Sequence, residues 1–399
     1  MKKKFNSLVI IRKSSSEIDW IIPVMEKMNE HVKFYTLFLN QKAYESLKKN
    51  NILFNRWQKI SKYHYVQNKI DRIFFKIFKI MFGWFSKSLD KELAFKIHDF
   101  KFLKKKLKIK DSENLHFILN EFQKTSFWVN SIINKDDNIK LFLFPHTTHI
   151  YKYSKREINV FKKKKSKKEC DAIFLGNKLD IDVWKYRLDK NKIYVTGHPK
   201  YDNFWQKTFE AKSKNIKKNN IILALKNITD EASFKATLYY LKIISGIVKK
   251  NKYFLTIKLP PYPQKELIEI INNLGFSNRR RYCSVSNENI FKLLKGANIL
   301  INFNLSATSL DALSNGVPVI QLPAISKLKK RYGKNDSIYT KLRLVFKVSK
   351  TENLERKISY ILKNKFKNKK NFTQNYYKYF PKKQKASEEV SKIILNKLI

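Results

Sequence analysis

Apolar positions follow two rhythms along the chain: short consecutive runs, and longer stretches in which they return every three or four residues. The run "SLVII" (7–11) precedes "SSSEIDWIIPVMEKM", where Ile18, Ile21, Ile22, Met25 and Met28 recur at helical spacing, so a strand and then a helix are predicted. "VKFYTLFL" predicts a second strand, and a long basic stretch to about residue 110 reads as helical. "LHFIL" (115–119), "IKLFLFPHTTHIY" (139–151), "CDAIFLGN" (170–177) and "KIYVTGHPKYD" (192–202) predict further strands, each ending in a polar or glycine turn.

The polar segment "QKTFEAKSKNIKKNN" (206–220) interrupts this pattern, which restarts at "IILAL" (221–225). Helix "EASFKATLYYLKIISGIVKK", strand "YFLTIKL" and helix "QKELIEIINNL" follow, then "YCSVS", "ENIFKLLKGA", "NILINF", a helix from Leu310, "VPVIQLP" and "LVFKV". Strands interleaved with helices of this length predict parallel sheets. The expected organisation is α/β, with two Rossmann-like doubly wound domains facing a cleft. The first spans 1–205 and carries a basic, aromatic helical insert near 60–110; 206–220 is a linker, 221–375 the second domain, and 376–399 a C-terminal helix.

Composition fits two cores: 399 residues exceed what one core fills, and 43% hydrophobic with 14% aromatic content is globular. A formal charge of +51, from 84 Lys and Arg against 33 Asp and Glu, points either to an anionic partner or to A/T-rich codon usage. Abundant Lys, Asn, Ile and Phe beside only 8 Gly fit the codon reading. Either way, each cation near an anionic surface contributes roughly 1 kcal/mol. The stretch "RIFFKIFKIMFGWFSKSL" (72–89) sets Phe74, Phe75, Phe78, Phe82 and Phe85 at helical spacing with lysines between them. It reads equally as a helix lying in a membrane interface or as a core helix with snorkelling lysines.

Cys170 and Cys283 stand far apart, without metal-ligand spacing, so neither a disulfide framework nor a metal site is expected. The apolar run after "MKKKFNS" is too short for an export signal, and a cytoplasmic location, with peripheral contact at the membrane's inner face through 72–89, is expected. No Walker loop or glycine-rich dinucleotide fingerprint is present.

Candidate chemistry lies in strand-end turns. After "NILINF", Ser306, Thr308 and Ser309 stand at a helix start, a place suited to a diphosphate, and Asp311 follows where a carboxylate accepts ribose hydroxyls. The same Thr308-x-x-Asp311 spacing also fits a capping box. Gly316 and Pro318 read as helix stop and strand entry. Thr229 in "LKNITDEASF", near a helix start after the first strand of the second domain, is a second phosphate candidate. His146, with His149 behind it, is a candidate base for an acceptor hydroxyl. His198 in "TGHPKYD" either shapes the turn or faces the ligand, with Asp202 placed to orient it. Arg279, Arg280 and Arg281 are a solvated run or an aid to a leaving diphosphate.

The segment "KLLKGANILINFNLSATSLDALSNGVPVIQLP" resembles the donor-site segment of two-domain GT-B glycosyltransferases, near the CDP-glycerol glycerophosphotransferases and UDP-N-acetylglucosamine 2-epimerases. "CDAIFLGNKLDIDVWKYRLDKNKIYVTGHPKYDNFW" resembles their segment ending in a "TGNP"-like or "TGHP"-like turn, so the resemblance covers roughly half the chain. It implies that Ser306 and Thr308 hold a nucleotide's phosphates, that Asp311 holds the ribose, and that His146 stands near an "HG"-type histidine. It also implies metal-independent transfer with no cofactor, the nucleotide sugar or CDP-activated donor being a substrate and the acceptor a surface or capsule polysaccharide or a lipid-linked glycan. Two departures stand out: Pro260 in "IKLPPYP" replaces an expected His, and Asn302 replaces an acidic residue. The alternatives are a 2-epimerase-like enzyme, a non-catalytic scaffold, or a basic nucleic-acid or membrane-surface binding protein; no specific nucleic acid is expected.

Overall fold

A computed structural model describes residues 5–11, 15–39, 41–61, 63–66, 103–110, 113–120, 138–145, 150, 170–209, 219–228, 230–260, 263–276, 281–303, 306–323, 337–348, 352–382 and 385–399. The chain forms two compact units: 1–147, 155–205 and 383–399 make one, 148–154 and 206–382 the other.

The first unit runs β1 (Phe5–Ile11), α1 (Ser15–Met28), β2 (Val32–Phe38), α2 (Gln41–Lys48), α3 (Asn51–Ile60), β3 (Tyr63–Val66), β4 (Leu115–Asn120), β5 (Leu141–Phe144), β6 (Ala172–Leu175) and β7 (Ile193–Val195). Its parallel strands lie in the order β3-β2-β1-β4-β5-β6-β7. Strands β4, β5 and β6 are buried along their whole length, as expected when both faces of a parallel sheet are covered.

β3 corrects the prediction of a helical stretch to residue 110. Tyr63, Tyr65 and Val66, three β-formers with His64 between them, pair with β2, and their lysine-rich surroundings conceal them in the sequence. The segment 72–89 lies outside the described residues.

The second unit runs β8 (Asn220–Ala224), α4 (Glu231–Lys250), β9 (Phe254–Lys258), α5 (Lys265–Asn273), β10 (Cys283–Ser286), α6 (Ile290–Leu294), β11 (Ile299–Phe303), α7 (Thr308–Ser314), β12 (Val319–Leu322), β13 (Phe346–Lys347), α8 (Glu352–Lys363) and α9 (Lys365–Tyr379). Its sheet has the doubly wound order β10-β9-β8-β11-β12-β13, so the chain reverses direction between β8 and β11. α4 starts with a reciprocal cap: Ser233 N–H donates to Asp230 Oδ1 at 2.8 Å and Asp230 N–H to Ser233 Oγ at 3.0 Å. Gly316, at φ 67°, ends α7 in the left-handed region, the stop expected of it.

The single helix predicted over 376–399 is two elements. α9 ends at Tyr379, Pro381 has no N–H with which to continue it, and α10 (Ala386–Leu398) belongs to the first unit. Among the described residues, no helix is long and apolar enough to cross a membrane.

Candidate functional site

One face of the second sheet packs an apolar core of Ile221, Leu223, Leu255, Ile257, Ile301, Ile320 and their neighbours. Residues one position away point to the opposite face, because side chains alternate along a strand. At the carboxyl end of that opposite face, register aligns Ser286, Lys258, Ala224, Asn302, Gln321 and Lys347 across all six strands. Five of these six are polar, and the exception, Ala224, lies on β8 where the strand order reverses. Lys258, Asn302 and Gln321 are 8%, 0% and 3% exposed. Three of the row's polar members are thus deeply buried at the carboxyl end of the sheet.

Asn302 organises the turn that follows β11. Its Nδ2 donates to Thr308 Oγ1 at 3.0 Å and Ser309 Oγ at 2.9 Å, Ser309 Oγ donates to Asn302 Oδ1 at 3.3 Å, and Ser306 Oγ lies 2.7 Å from Thr308 Oγ1. Ser306, Thr308 and Ser309 are thus brought together, as the sequence predicts. Ser309 is fully buried and props the turn from below, whereas Ser306 and Thr308 are half-buried.

The capping-box reading is corrected. Ala307 is the N-cap of α7, without a side-chain cap, and Thr308 already lies inside the helix with its hydroxyl committed to Asn302. Asp311 is 3% exposed and sits beside Tyr376 of α9, whose phenol is held well above its ordinary range by burial, then by Tyr377 and the Asp311 charge.

Lys258 and Lys226 were not singled out from the sequence. Burial brings each ammonium down to about 8. Lys258 Nζ donates to the Leu259 carbonyl, and no described carboxylate pairs with it. The signal was present in "YFLTIKL", an apolar run with a lysine one residue before its end. Gln321 Nε2 is a further buried donor without a partner.

In the first unit, His198 follows β7 after Gly197, whose φ of 86° only glycine adopts readily. The ring packs 4.3 Å from Trp20 and 5.4 Å from Tyr201, centroid to centroid, and both its nitrogens are buried without a hydrogen-bond partner. Burial, with Lys200 adding to it, holds the imidazole well below its ordinary range, so it is neutral at pH 7. At the end of β4, both amide atoms of Asn120 are likewise buried and unpartnered.

Asp202 does not orient His198. Its carboxylate is taken up by the first turn of α10, where burial pushes it up and the Ser387 and Ala386 donors pull it back. His146, His149, Thr229, Arg279 and Arg280 lie outside the described residues. A cavity of about 430 Å³ opens at the amino ends of β11 and β12, near Phe291, Lys295, Asn298 and Lys365, at the opposite end of the sheet from the polar row.

No family model matches the chain, and no curated protein matches it in sequence. Solved structures match it over its full length. The UDP-GlcNAc 2-epimerase from Neisseria meningitidis bound to UDP-GlcNAc superposes with a TM-score of 0.62 at 12% identity, covering 98% of this chain and 100% of that one. The glycotransferase of kitacinnamycin gives a TM-score of 0.58 at 9% identity, covering 100% of both chains. The fold is GT-B. The Methanocaldococcus jannaschii UDP-GlcNAc 2-epimerase in complex with UDP-GlcNAc and UDP shares it, with a TM-score of 0.59 at 14% identity over 98% of this chain and 99% of that one. All three neighbours are enzymes, and the likeness to each is one of fold.

Proposed function

We propose that the protein is an enzyme acting on a nucleotide-activated sugar, transferring the sugar or a polyol phosphate to a surface-polysaccharide or lipid-linked acceptor in the cytoplasm. The observation that carries this reading is the full-length likeness to two epimerases described with UDP-GlcNAc, together with a buried polar row at the strand reversal of the second sheet. In open α/β sheets, ligands settle at that reversal. Ser306 and Thr308, fixed by Asn302, meet the donor's phosphates, and Thr229 is kept as a second phosphate candidate from the sequence alone. In the first unit, His146 is the candidate base for the acceptor hydroxyl, and His198, neutral and buried, offers a hydrogen bond rather than charge. The +51 charge suits an anionic or lipid-linked acceptor at a membrane surface.

The second reading is a 2-epimerase. The two epimerase likenesses favour it. Transfer is preferred because the polar row, among the described residues, offers amides, hydroxyls and lysines but no carboxylate to shuttle a carbon-bound proton.

A thermal-shift screen of UDP, CDP, GDP and their sugar or glycerol conjugates tests the reading. A saturating ligand at a hundredfold its Kd stabilises by about 2.7 kcal/mol. A base-selective shift that is lost in Thr308→Val is expected; no shift with any nucleotide overturns the proposal. NMR of the sugar conjugate then separates the reactions, since epimerisation at C2 proceeds without an acceptor and transfer requires one.

A further inference from the structure

We infer that the cavity of about 430 Å³ at the amino ends of β11 and β12 is a second ligand site, one that takes a small organic acid with a bulky apolar body. The inference goes beyond the nucleotide reading above and does not depend on it.

The cavity forms where elements of the second unit end and begin. Leu294 closes α6, Asn315 and Gly316 follow α7, Asn298 and Pro318 lead into β11 and β12, and Lys365 opens α9. Its volume falls in the range of roughly 300–1,000 Å³ typical of small-molecule pockets. Along the chain Asn298 and Asn302 are four residues apart, about 13 Å at the rise of a strand, which separates the cavity from the polar row at the other end of β11.

Phe291, Leu294, Val317 and Pro318 give it apolar walls, and Phe291 and Val317 are buried. Two donors stand at one edge because their anchors are consecutive residues. Asn220 N–H donates to Asn298 Oδ1 at 3.0 Å, and Lys365 Nζ donates to Asn219 Oδ1 at 2.9 Å. The first bond fixes the orientation of the Asn298 amide, so its Nδ2 is the free end and meets no acceptor among the described residues. The Lys365 ammonium has three protons and gives one of them to Asn219.

The lining then identifies the ligand class. No Asp or Glu lines the cavity, whose charged residues are Lys365 and, exposed at the rim, Lys295. An amide donor beside an ammonium matches the two oxygens of a carboxylate. The apolar walls take the rest of the molecule. A phosphate or a nucleotide brings more charge, and these walls would strip its water without replacing the lost hydrogen bonds.

Ligand-observed NMR titration of the full chain with 2-naphthylacetate, acetate, 2-naphthylacetamide and inorganic phosphate tests this. Parent protein, Lys365→Met and Ala297→Leu are compared, the last occupying part of the cavity while keeping Lys365. The expected result is that the parent binds 2-naphthylacetate at least tenfold more tightly than acetate, the amide or phosphate. Both variants should lose at least tenfold in that affinity, and Lys365→Met should bind acid and amide alike. Added UDP should not displace the acid.

No binding of 2-naphthylacetate by the parent, or unchanged affinity in either variant, overturns the site. Equal binding of acid and amide by the parent, or phosphate binding as tight as the acid's, overturns the ligand class. Displacement by UDP puts the acid in the nucleotide site and overturns the proposal. If Lys365→Met does not fold, the acid-to-amide ratio in the parent and the Ala297→Leu result decide. None of these outcomes alters the nucleotide reading, which the thermal-shift screen reads separately.

Discussion

Asp202 caps a helix whose first turn lies 184 residues further along the chain. Ala386 N–H donates to its Oδ1 at 2.7 Å and Ser387 N–H to its Oδ2 at 2.8 Å, and the Ser387 hydroxyl also donates to Oδ2. Lys27 on α1 meets Glu388 in the same turn at 3.5 Å. Replacing Asp202 with Ala leaves two buried N–H groups without an acceptor, and a cost of about 2 kcal/mol is expected. Urea denaturation reads it, and a variant within 0.5 kcal/mol of the parent (about the scatter of a neutral surface change) would show that the cap is not holding α10.

The His198 imidazole makes stability sensitive to acid. Its folded value lies well below 6.5, so on acidification the unfolded chain takes up the proton first. Its contribution is therefore complete above pH 6.5 and is lost as the pH falls below that. The parent should lose stability between pH 7 and pH 5, and His198→Phe should lose less over the same interval. Parallel denaturation curves at the two pH values test this; an identical pH response in both proteins would mean that the ring titrates freely.

Lys258 acts in the same direction, in a window on the alkaline side. In the folded chain it releases its proton near 8, against 10.5 when unfolded, so between those values the unfolded state holds more protons and stability rises with pH. Below about pH 8 the full cost of the buried charge is present. Lys258→Met should therefore stabilise the ligand-free protein at pH 7 by on the order of 2 kcal/mol, the gain shrinking toward pH 10. Lys226 is common to both proteins and cancels in the difference. A loss of stability at pH 7 would contradict an uncompensated charge.

Asn302 ties β11 to the turn that begins α7. Substitution by Ala removes bonds to both Thr308 and Ser309 in a fully buried setting, with an expected cost of about 2–3 kcal/mol. Nucleotide affinity should fall with it, since Ser306 and Thr308 lose their anchor. Thermal denaturation and ligand titration together check this; retained affinity in a destabilised variant would remove the turn from the binding site.

Much of the fold is legible in the sequence, because parallel strands buried on both faces are written as apolar runs. "IILAL", "YFLTIKL" and "NILINF" become β8, β9 and β11, and "EASFKATLYYLKIISGIVKK" spans α4. β3 was hidden because an edge strand of four residues among lysines has no long apolar run. The grouping of Ser306, Thr308 and Ser309 was readable because their contacts are local. The polar row was not: Ser286, Lys258, Ala224, Asn302 and Gln321 come together only through strand register, which no spacing along the chain encodes. The role of Asp202 was equally hidden, because its partners are set by where the chain returns to the first unit.

That return has a consequence for biosynthesis. Residues 386–398 leave the ribosome after every strand of the second sheet, yet they supply a helix of the first unit. The second unit therefore has its complete sequence available while the first still lacks a wall, with the apolar face of α1 uncovered and Asp202 without its donors. The unit begun first is therefore the one whose sequence is completed last.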